Sequence, residues 1–272
     1  MALFQAPLQA GISLISSDQY GKEISFGKAT ANSYLIEGEK LSVLFDLAVD
    51  EPGFYGFILS RIHTPLMTII SHGHPDHIFH IDEFPEVWMH EEDMDFPLCS
   101  FGGASPIPSS IRLNYLKNGD ILELGGRELR VIHIPGHTMG SIMVLDSLTG
   151  TLFSGDSVAR RILYGVNRCP PLSEYCQSLK SLHEENVRHI YSAHDRADLG
   201  PQAPERILAA LETRVPLCTC LWEYPGFSAM LHEVIGEETD PEYLDIAVAQ
   251  SLVKKDGSCL QVGGSEKEKE NV

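Results

Sequence analysis

Hydrophobic and polar positions fall into two runs of similar style. In the first, Gly11 to Ser16, Asn32 to Glu37 and Leu41 to Asp46 are short β-rich segments separated by glycine and charged turn residues, a pattern that predicts an antiparallel meander. Pro52 to Ile62 carries Phe54, Phe57, Ile58 and Ile62 on one stripe and predicts a helix. The apolar run Leu66 to Ile70 and the shorter Glu86 to Met89 predict strands, and His90 to Asp95 a short helix with acids in its first turn. The second run opens at the Gly125-Gly126 turn. Strands are expected over Leu129 to Ile134, Ser141 to Asp146, Thr151 to Ser154 and His189 to Ser192, with an amphipathic helix over Pro171 to Glu185 marked by Leu172, Tyr175, Cys176, Leu179 and Leu182. Beyond Pro201 the spacing is helical: Ile207, Leu208 and Leu211 share a face, and Asp240-Pro241 reads as a helix start for Leu244, Ala247, Val248 and Leu252.

Two runs plus a tail region fit one large domain with a modest extension, which 272 residues allow. The division expected is a domain over 1–200, a helical extension over 201–264 and a disordered polar tail over 265–272. The formal charge of −18 argues against a phosphate backbone as the main partner, because nucleic acid demands a basic face. The N-terminal residues lack the basic and apolar blocks of a signal peptide, and no window reaches membrane-span length. Six cysteines (Cys99, Cys169, Cys176, Cys218, Cys220 and Cys259) show no framework spacing, which suits a reducing cytoplasm; Cys218-Thr219-Cys220 is a weak metal signal. Ser100 to Ser110, rich in glycine and proline, reads as a long loop, either a substrate wall or inert surface.

The chemistry concentrates at strand ends. Directly after Leu66 to Ile70 come His72, His74, Asp76 and His77, and imidazole and carboxylate are ordinary ligands of zinc and related ions. Histidine tracts that merely scavenge metal lack this strand-then-turn setting. Three later strands deliver His137 in Pro135-Gly136-His137-Thr138, Asp156 in Gly155-Asp156, and His194. Asp46, ending an apolar strand, is either a buried carboxylate with a dedicated partner or a turn-capping residue. His80 and His133 flank these motifs and read as supporting or core residues. Tyr164, with Arg160 and Arg161, follows Asp156 closely and is a possible substrate contact or an ordinary loop residue.

Taken together and in this order, these motifs resemble the metallo-β-lactamase-fold superfamily over about residues 11 to 200. The resemblance implies an α/β (α+β) fold, a four-layer αββα sandwich, here with a C-terminal helical extension. It implies one metal held by His72, His74 and His137, a second by Asp76, His77 and His194, and Asp156 bridging them. Asp46 is then expected behind the ligands, holding one imidazole in a single tautomer. Two divalent ions, zinc first, with iron or manganese as alternatives, would supply a bridging hydroxide, since metal binding lowers the pKa of water from about 15.7 toward about 7. Asp76 would orient that nucleophile and receive its proton, making Asp76 and Asp156 the catalytic pair. The reaction expected is hydrolysis of a small acyl thioester or related ester. A lactonase, a mononuclear-iron sulfur dioxygenase and a low-turnover ligand-binding protein are the alternatives. The C-terminal region lacks the basic cluster with which glyoxalase II members hold glutathione.

Overall fold

The computed structural model describes residues 3–18, 23–24, 28–29, 31–94, 107–165, 169–218, 221–222, 230–237 and 239–249. The first run forms β1 (Leu3–Gln9), β2 (Ile12–Ser17), two-residue β3 (Glu23–Ile24) and β4 (Lys28–Ala29), β5 (Ser33–Glu37), β6 (Ser42–Phe45), α1 (Phe54–Leu59), β7 (Leu66–Ile69), β8 (Glu86–Met89) and β9 (Arg112–Tyr115). The second forms β10 (Ile121–Glu123), β11 (Glu128–His133), β12 (Ile142–Asp146), β13 (Thr151–Phe153), β14 (Arg161–Tyr164), α2 (Leu172–Ser181) and β15 (His189–Tyr191). After these come α3 (Ala203–Thr213), β16 (Leu221–Trp222), β17 (Met230–Ile235) and β18 (Leu244–Ala249).

Period-two alternation explains the layering. In β6, Val43 and Phe45 point into a core shared with Val131, Val144 and Phe153 of the second run, while Leu44 points the other way, toward Phe54 and Ile58 of α1. A seven-stranded sheet, β1-β2-β5-β6-β7-β8-β9, therefore lies against a five-stranded one, β10-β11-β12-β13-β15. The outer face of the second sheet, through Met143, Leu145 and Ile190, is covered by Leu172, Tyr175 and Leu179 of α2 and by Ile207 and Leu211 of α3. The result is the expected helix-sheet-sheet-helix sandwich.

Strand direction sets where function can lie. β6 and β7 are parallel, as are β13 and β15, and β11 runs with β13 because each is antiparallel to β12. Their C-terminal ends consequently meet at one rim of the sandwich, where the Ile142 N–H donates to the Ser71 carbonyl at 2.9 Å and joins the two sheets.

The C-terminal helix expected from Asp240 is a strand instead. β18 lies between β14 and β17, and four of its residues in a row, Ile246 to Ala249, are buried on both faces. An apolar run covered on both sides has no period to read, so Leu244, Ala247 and Val248 mimic a helical stripe; Leu252 lies outside the described residues. Asp240 caps a turn by accepting from the Glu242 N–H at 2.8 Å rather than starting a helix. Strands β1, β3, β4, β9, β10, β14, β16 and β17 are additional to the sequence reading. β1 carries Pro7, tolerated because β1 is an edge strand that bulges between Pro7 and Gln9. Residues 95–106, most of the expected substrate-wall loop, and 265–272 lie outside the described residues. Among the described residues no helix is long and apolar enough to cross a membrane.

At the opposite end from the rim strands, Arg127 is buried with its Nε 3.4 Å from Asp146. Its guanidinium also donates to the carbonyls of Ala10 and Gly11, tying the β1–β2 hairpin to the second sheet. Removing one member of a buried ion pair strands the other charge. Arg127→Ala is expected to destabilise the protein by about 3–5 kcal/mol in urea unfolding, whereas a loss below about 1 kcal/mol would show the clamp to be dispensable.

Candidate metal centre

Each ligand-type side chain arrives from a strand end. The chain leaves β7 at Ser71 and turns through His72, His74 and a single 3-10 turn, Pro75–His77. β11 is followed by His137, β13 by Asp156 and β15 by His194. Two groups form: His72, His74, His137 and Asp156, and Asp76, His77 and His194, the ligand atoms of each group lying within 4.8 Å of one another. In the first, His74 Nδ1 is 2.8 Å from His72 Nε2 and 2.9 Å from His137 Nε2. Asp156 touches both groups: Oδ1 is 3.3 Å from His77 Nε2, and Oδ2 is 3.2 Å from His194 Nε2 and 3.6 Å from His137 Nε2. Asp76 Oδ2 lies 3.4 Å from His194 Nε2.

The surrounding hydrogen bonds choose which ring nitrogen faces inward. Asp46 is buried at the end of β6, with φ of 66°, a left-handed conformation that costs a non-glycine residue roughly 1–2 kcal/mol. It accepts from the Ser71 N–H at 2.6 Å, the Ser71 hydroxyl at 2.8 Å and His77 Nδ1 at 2.9 Å. The Ser71 hydroxyl, its proton given to Asp46, is an acceptor for His72 Nδ1 at 3.0 Å. His137 Nδ1 donates to the Leu163 carbonyl at 2.9 Å. In all three rings it is then Nε2 that faces into the cluster, and in the neutral His72 and His137 it does so as a lone pair. Of the two readings open for Asp46, the buried carboxylate with a dedicated partner is the one observed.

The two groups differ electrostatically. Burial, aided by the neighbouring imidazoles, holds His72 well below the ordinary histidine value and His74 down at about 3; burial likewise lowers His137. These rings are neutral at pH 7, as metal coordination requires. Burial opposes charge on His77 too, but Asp156, Asp46 and Asp76 outweigh it and lift this ring to about 10. At His194 burial is again the largest single effect and again loses, to Asp156 and Asp76. Those imidazoliums hold Asp156 well below the usual carboxylate range despite its burial. Without a cation, protons therefore neutralise the carboxylates of the second group. Neither His77 Nε2 nor Asp156 Oδ1 completes a hydrogen bond. The inward lone pairs of His72 and His137 and these orphaned atoms fit divalent cations chemically, nitrogen and carboxylate oxygen being their normal donors. His194 and Asp76 are more exposed than His72, His74 and His137, at 24% and 18% against 1–5%, so solvent enters from the second group's side.

One residue that sequence reading passed over organises this rim. Asp93, assigned above only to an acidic helix turn, is fully buried and accepts from the Gly73 N–H at 3.0 Å, the Thr138 hydroxyl at 2.7 Å and the Gly140 N–H at 2.7 Å. It thus binds the loop of His72 and His74 to the loop of His137. Gly140 is required there, since a Cβ would come within 2.7 Å of the Asp93 carboxylate, and Gly155 is required where a Cβ would meet the Ser71 hydroxyl at 2.6 Å. The only available signal was the acid itself, one of three in Glu91-Glu92-Asp93, with nothing in the pattern to distinguish it.

Tyr164, named above as a possible substrate contact, points into the core. It is fully buried, stacks on Tyr175 at 5.4 Å between centroids, and donates its hydroxyl to the Pro170 carbonyl. Alternation of β14 turns Tyr164 into the core and leaves the preceding Leu163 carbonyl to meet His137. Arg160 lies against Asp195 and Arg161 against Asp245, 3.9 and 3.5 Å away. His80 pairs with Asp50 at 3.0 Å, and His133 stacks on His90 and contacts the Met139 carbonyl; neither belongs to the two metal-type groups. The described cysteines, Cys169, Cys176 and Cys218, are not in disulfides.

Known proteins share this arrangement of chain. The family model for the metallo-beta-lactamase superfamily matches residues 27–187. The "Beta-lactamase-like protein 2 homolog" of Drosophila melanogaster is 28% identical over 172 residues, 60% of this chain and 58% of that protein. The acyl-coenzyme A thioesterase MBLAC2 of Homo sapiens is 26% identical over 162 residues, 47% of this chain and 58% of that protein. The chain thus matches less than two thirds of the length of either relative. Among solved structures, TTHA1623 in a di-iron-bound form is 26% identical with a TM-score of 0.52, covering 65% of this chain and 92% of that one.

Two predictions follow from the charges and from Asp93. The depressed His72, His74 and His137 give stability that is lost as pH falls from 6.5 toward about 3, because only the unfolded chain then takes up protons. The raised His77 and His194 give stability lost as pH rises from 6.5 through about 10. Thermal melts in the presence of a chelator should therefore peak near pH 6.5 and decline on both sides; a flat profile from pH 5 to 9 contradicts the assignment. Asp93→Asn places an amide donor against N–H and hydroxyl donors, and its expected cost is about 2–4 kcal/mol by denaturant unfolding, with a parallel loss of metal retention after dialysis.

Proposed function

The chain belongs to the metallo-β-lactamase superfamily, and from that premise we propose that it is a dinuclear metal-dependent hydrolase of a small acyl thioester or related ester. The observation carrying this reading is the shared carboxylate: Asp156 lies within 3.6 Å of ring nitrogens from both ligand groups, so one side chain serves two neighbouring sites. His72, His74 and His137 would hold one ion, and Asp76, His77 and His194 the other, with Asp156 between them. Two divalent ions supply a water of lowered pKa and Lewis-acid polarisation of a carbonyl. Zinc suits the nitrogen-rich first group, and the di-iron form of the similar TTHA1623 makes iron the second choice.

The chain's own groups do the rest. Ser71 and Asp46 fix His72 and His77, and the Leu163 carbonyl fixes His137, so the ligand rings need no reorganisation when an ion arrives. The Asp76 carboxylate, held below its ordinary pKa by His77 and His194 against the effect of burial, is ionised at neutral pH and able to accept the proton of an attacking water. It stands on the solvent side of the site, where substrate enters. The thioester assignment is supported by the similarity to MBLAC2, an acyl-coenzyme A thioesterase; the acyl group and carrier are open. A soluble small-molecule substrate also suits a formal charge of −18, which disfavours nucleic acid.

The test combines metal analysis with a panel of acyl thioesters, lactones and phosphodiesters. Two ions per chain and thioester turnover are expected. Asp156→Ala should retain no more than one ion and lower kcat/KM by at least about 10³-fold, roughly 4 kcal/mol of transition-state stabilisation. Wild-type turnover of the panel by Asp156→Ala would refute the mechanism, and a single iron with oxygen uptake would assign the site to dioxygenase chemistry instead.

A further inference from the structure

We infer that the C-terminal strand β18 is a positioning element of the metal centre, acting through β14 on His137. The inference rests on the reading that His72, His74 and His137 hold an ion.

β14 is an edge strand of the four-stranded sheet β14-β18-β17-β16, so its one strand neighbour among the described residues is β18. The two are parallel, with Arg161 opposite Asp245, Leu163 opposite Ala247 and Tyr164 opposite Val248. The Asp245 N–H donates to the Arg160 carbonyl at 2.8 Å, and the Arg161 guanidinium lies 3.5 Å from the Asp245 carboxylate. On one face Leu163 packs against Ala247 and Ala249; on the other Ile162 and Tyr164 share a core with Leu244, Ile246 and Val248. Residues 244–249 thus supply the whole strand pairing of β14 among the described residues, while Tyr175 and the Pro170 carbonyl hold the Tyr164 side chain.

β14 in turn fixes His137. The Leu163 carbonyl is the hydrogen-bond acceptor for His137 Nδ1, and that bond leaves Nε2 as a lone pair 2.9 Å from His74 Nδ1. A backbone carbonyl cannot adjust independently as a side chain would; it moves only if its strand moves. β14 lies inside the span 27–187 matched by the family model, whereas β18 lies outside it. The superfamily core of this chain therefore carries a ligand whose orienting group is held by a segment beyond that core. Groups that hold a ligand imidazole through its second nitrogen typically alter metal affinity about 10–100-fold when lost.

Linkage provides a test on the unmodified protein. If β18 helps to hold the metal site, metal must equally stabilise β18. Amide hydrogen exchange of the full chain is measured with and without zinc ion, following 72–77, 136–141, 161–164 and 244–249, with α1 (54–59) as reference. Zinc is expected to slow exchange at 244–249 as much as at 136–141, and at least about tenfold more than at α1. Protection of 72–77 and 136–141 with β18 tracking α1 would overturn the inference while leaving the metal reading standing. Protection of none of these segments would overturn both. As a second arm, Ala247→Pro removes a ladder N–H from a strand paired on both sides. It should weaken zinc retention against a competing chelator about 10–100-fold, while Ile58→Ala, a core lesion beneath α1, leaves retention unchanged. Equal losses in the two variants, or none in Ala247→Pro, count against the inference, and if that variant does not fold the exchange measurement decides alone.

Discussion

The rim of the sandwich depends on one electrostatic constraint: three neutral imidazoles and three carboxylates, with two further histidines, are buried together and their charges must balance. Water reaches only the His194 and Asp76 side, so the chain balances most of the charge locally. Asp46 neutralises one face of His77, Asp156 is shared between His77 and His194, and the remaining rings stay uncharged. The sandwich exists in part to make such a concentration possible, because parallel strand directions bring five separate strand ends to one edge. A cation pair would satisfy the same charges with fewer protons, which is why the arrangement reads as a metal centre rather than as a polar core.

The metal-type side chains that gather at the rim were legible in the sequence because they are unusual in kind and stand directly after apolar strands. The sandwich was legible for a similar reason: β5, β6, β7, β11, β12 and β13 have clear strand patterns bounded by turn residues. What escaped was information that lives in three dimensions. Asp93 differs from its acidic neighbours only in what it touches. Tyr164 looked like a site residue because it is near Asp156 in sequence, yet strand alternation turns it into the core. β18 looked helical because a strand covered on both faces shows no alternation, and its neighbour β14 is distant in sequence. The N-terminal strand β1, half-buried and interrupted by Pro7, carries too little apolar pattern to be read.

The support around the ligands is unequal in kind. His72 and His77 are held by side chains, Ser71 and Asp46, that sit one residue before the motif and at the end of the adjoining strand. His137 is held by backbone, from a short strand that belongs to a different sheet. Side-chain support can be tuned by a single substitution; backbone support changes only when a whole element shifts. The first group is thus coupled to the small C-terminal sheet through a ligand-type ring bonded directly to the β14 backbone, whereas the second reaches that strand only through Asp195 beside His194.

That coupling bears on how the protein is made. His72 and His74 emerge from the ribosome early, but the strand delivering His194 and the strand bracing β14 follow only after more than a hundred further residues. At about 5–20 residues per second, the ligand set stays open for on the order of ten seconds during synthesis. An ion that needs all of these donors would therefore be enclosed only by the finished fold.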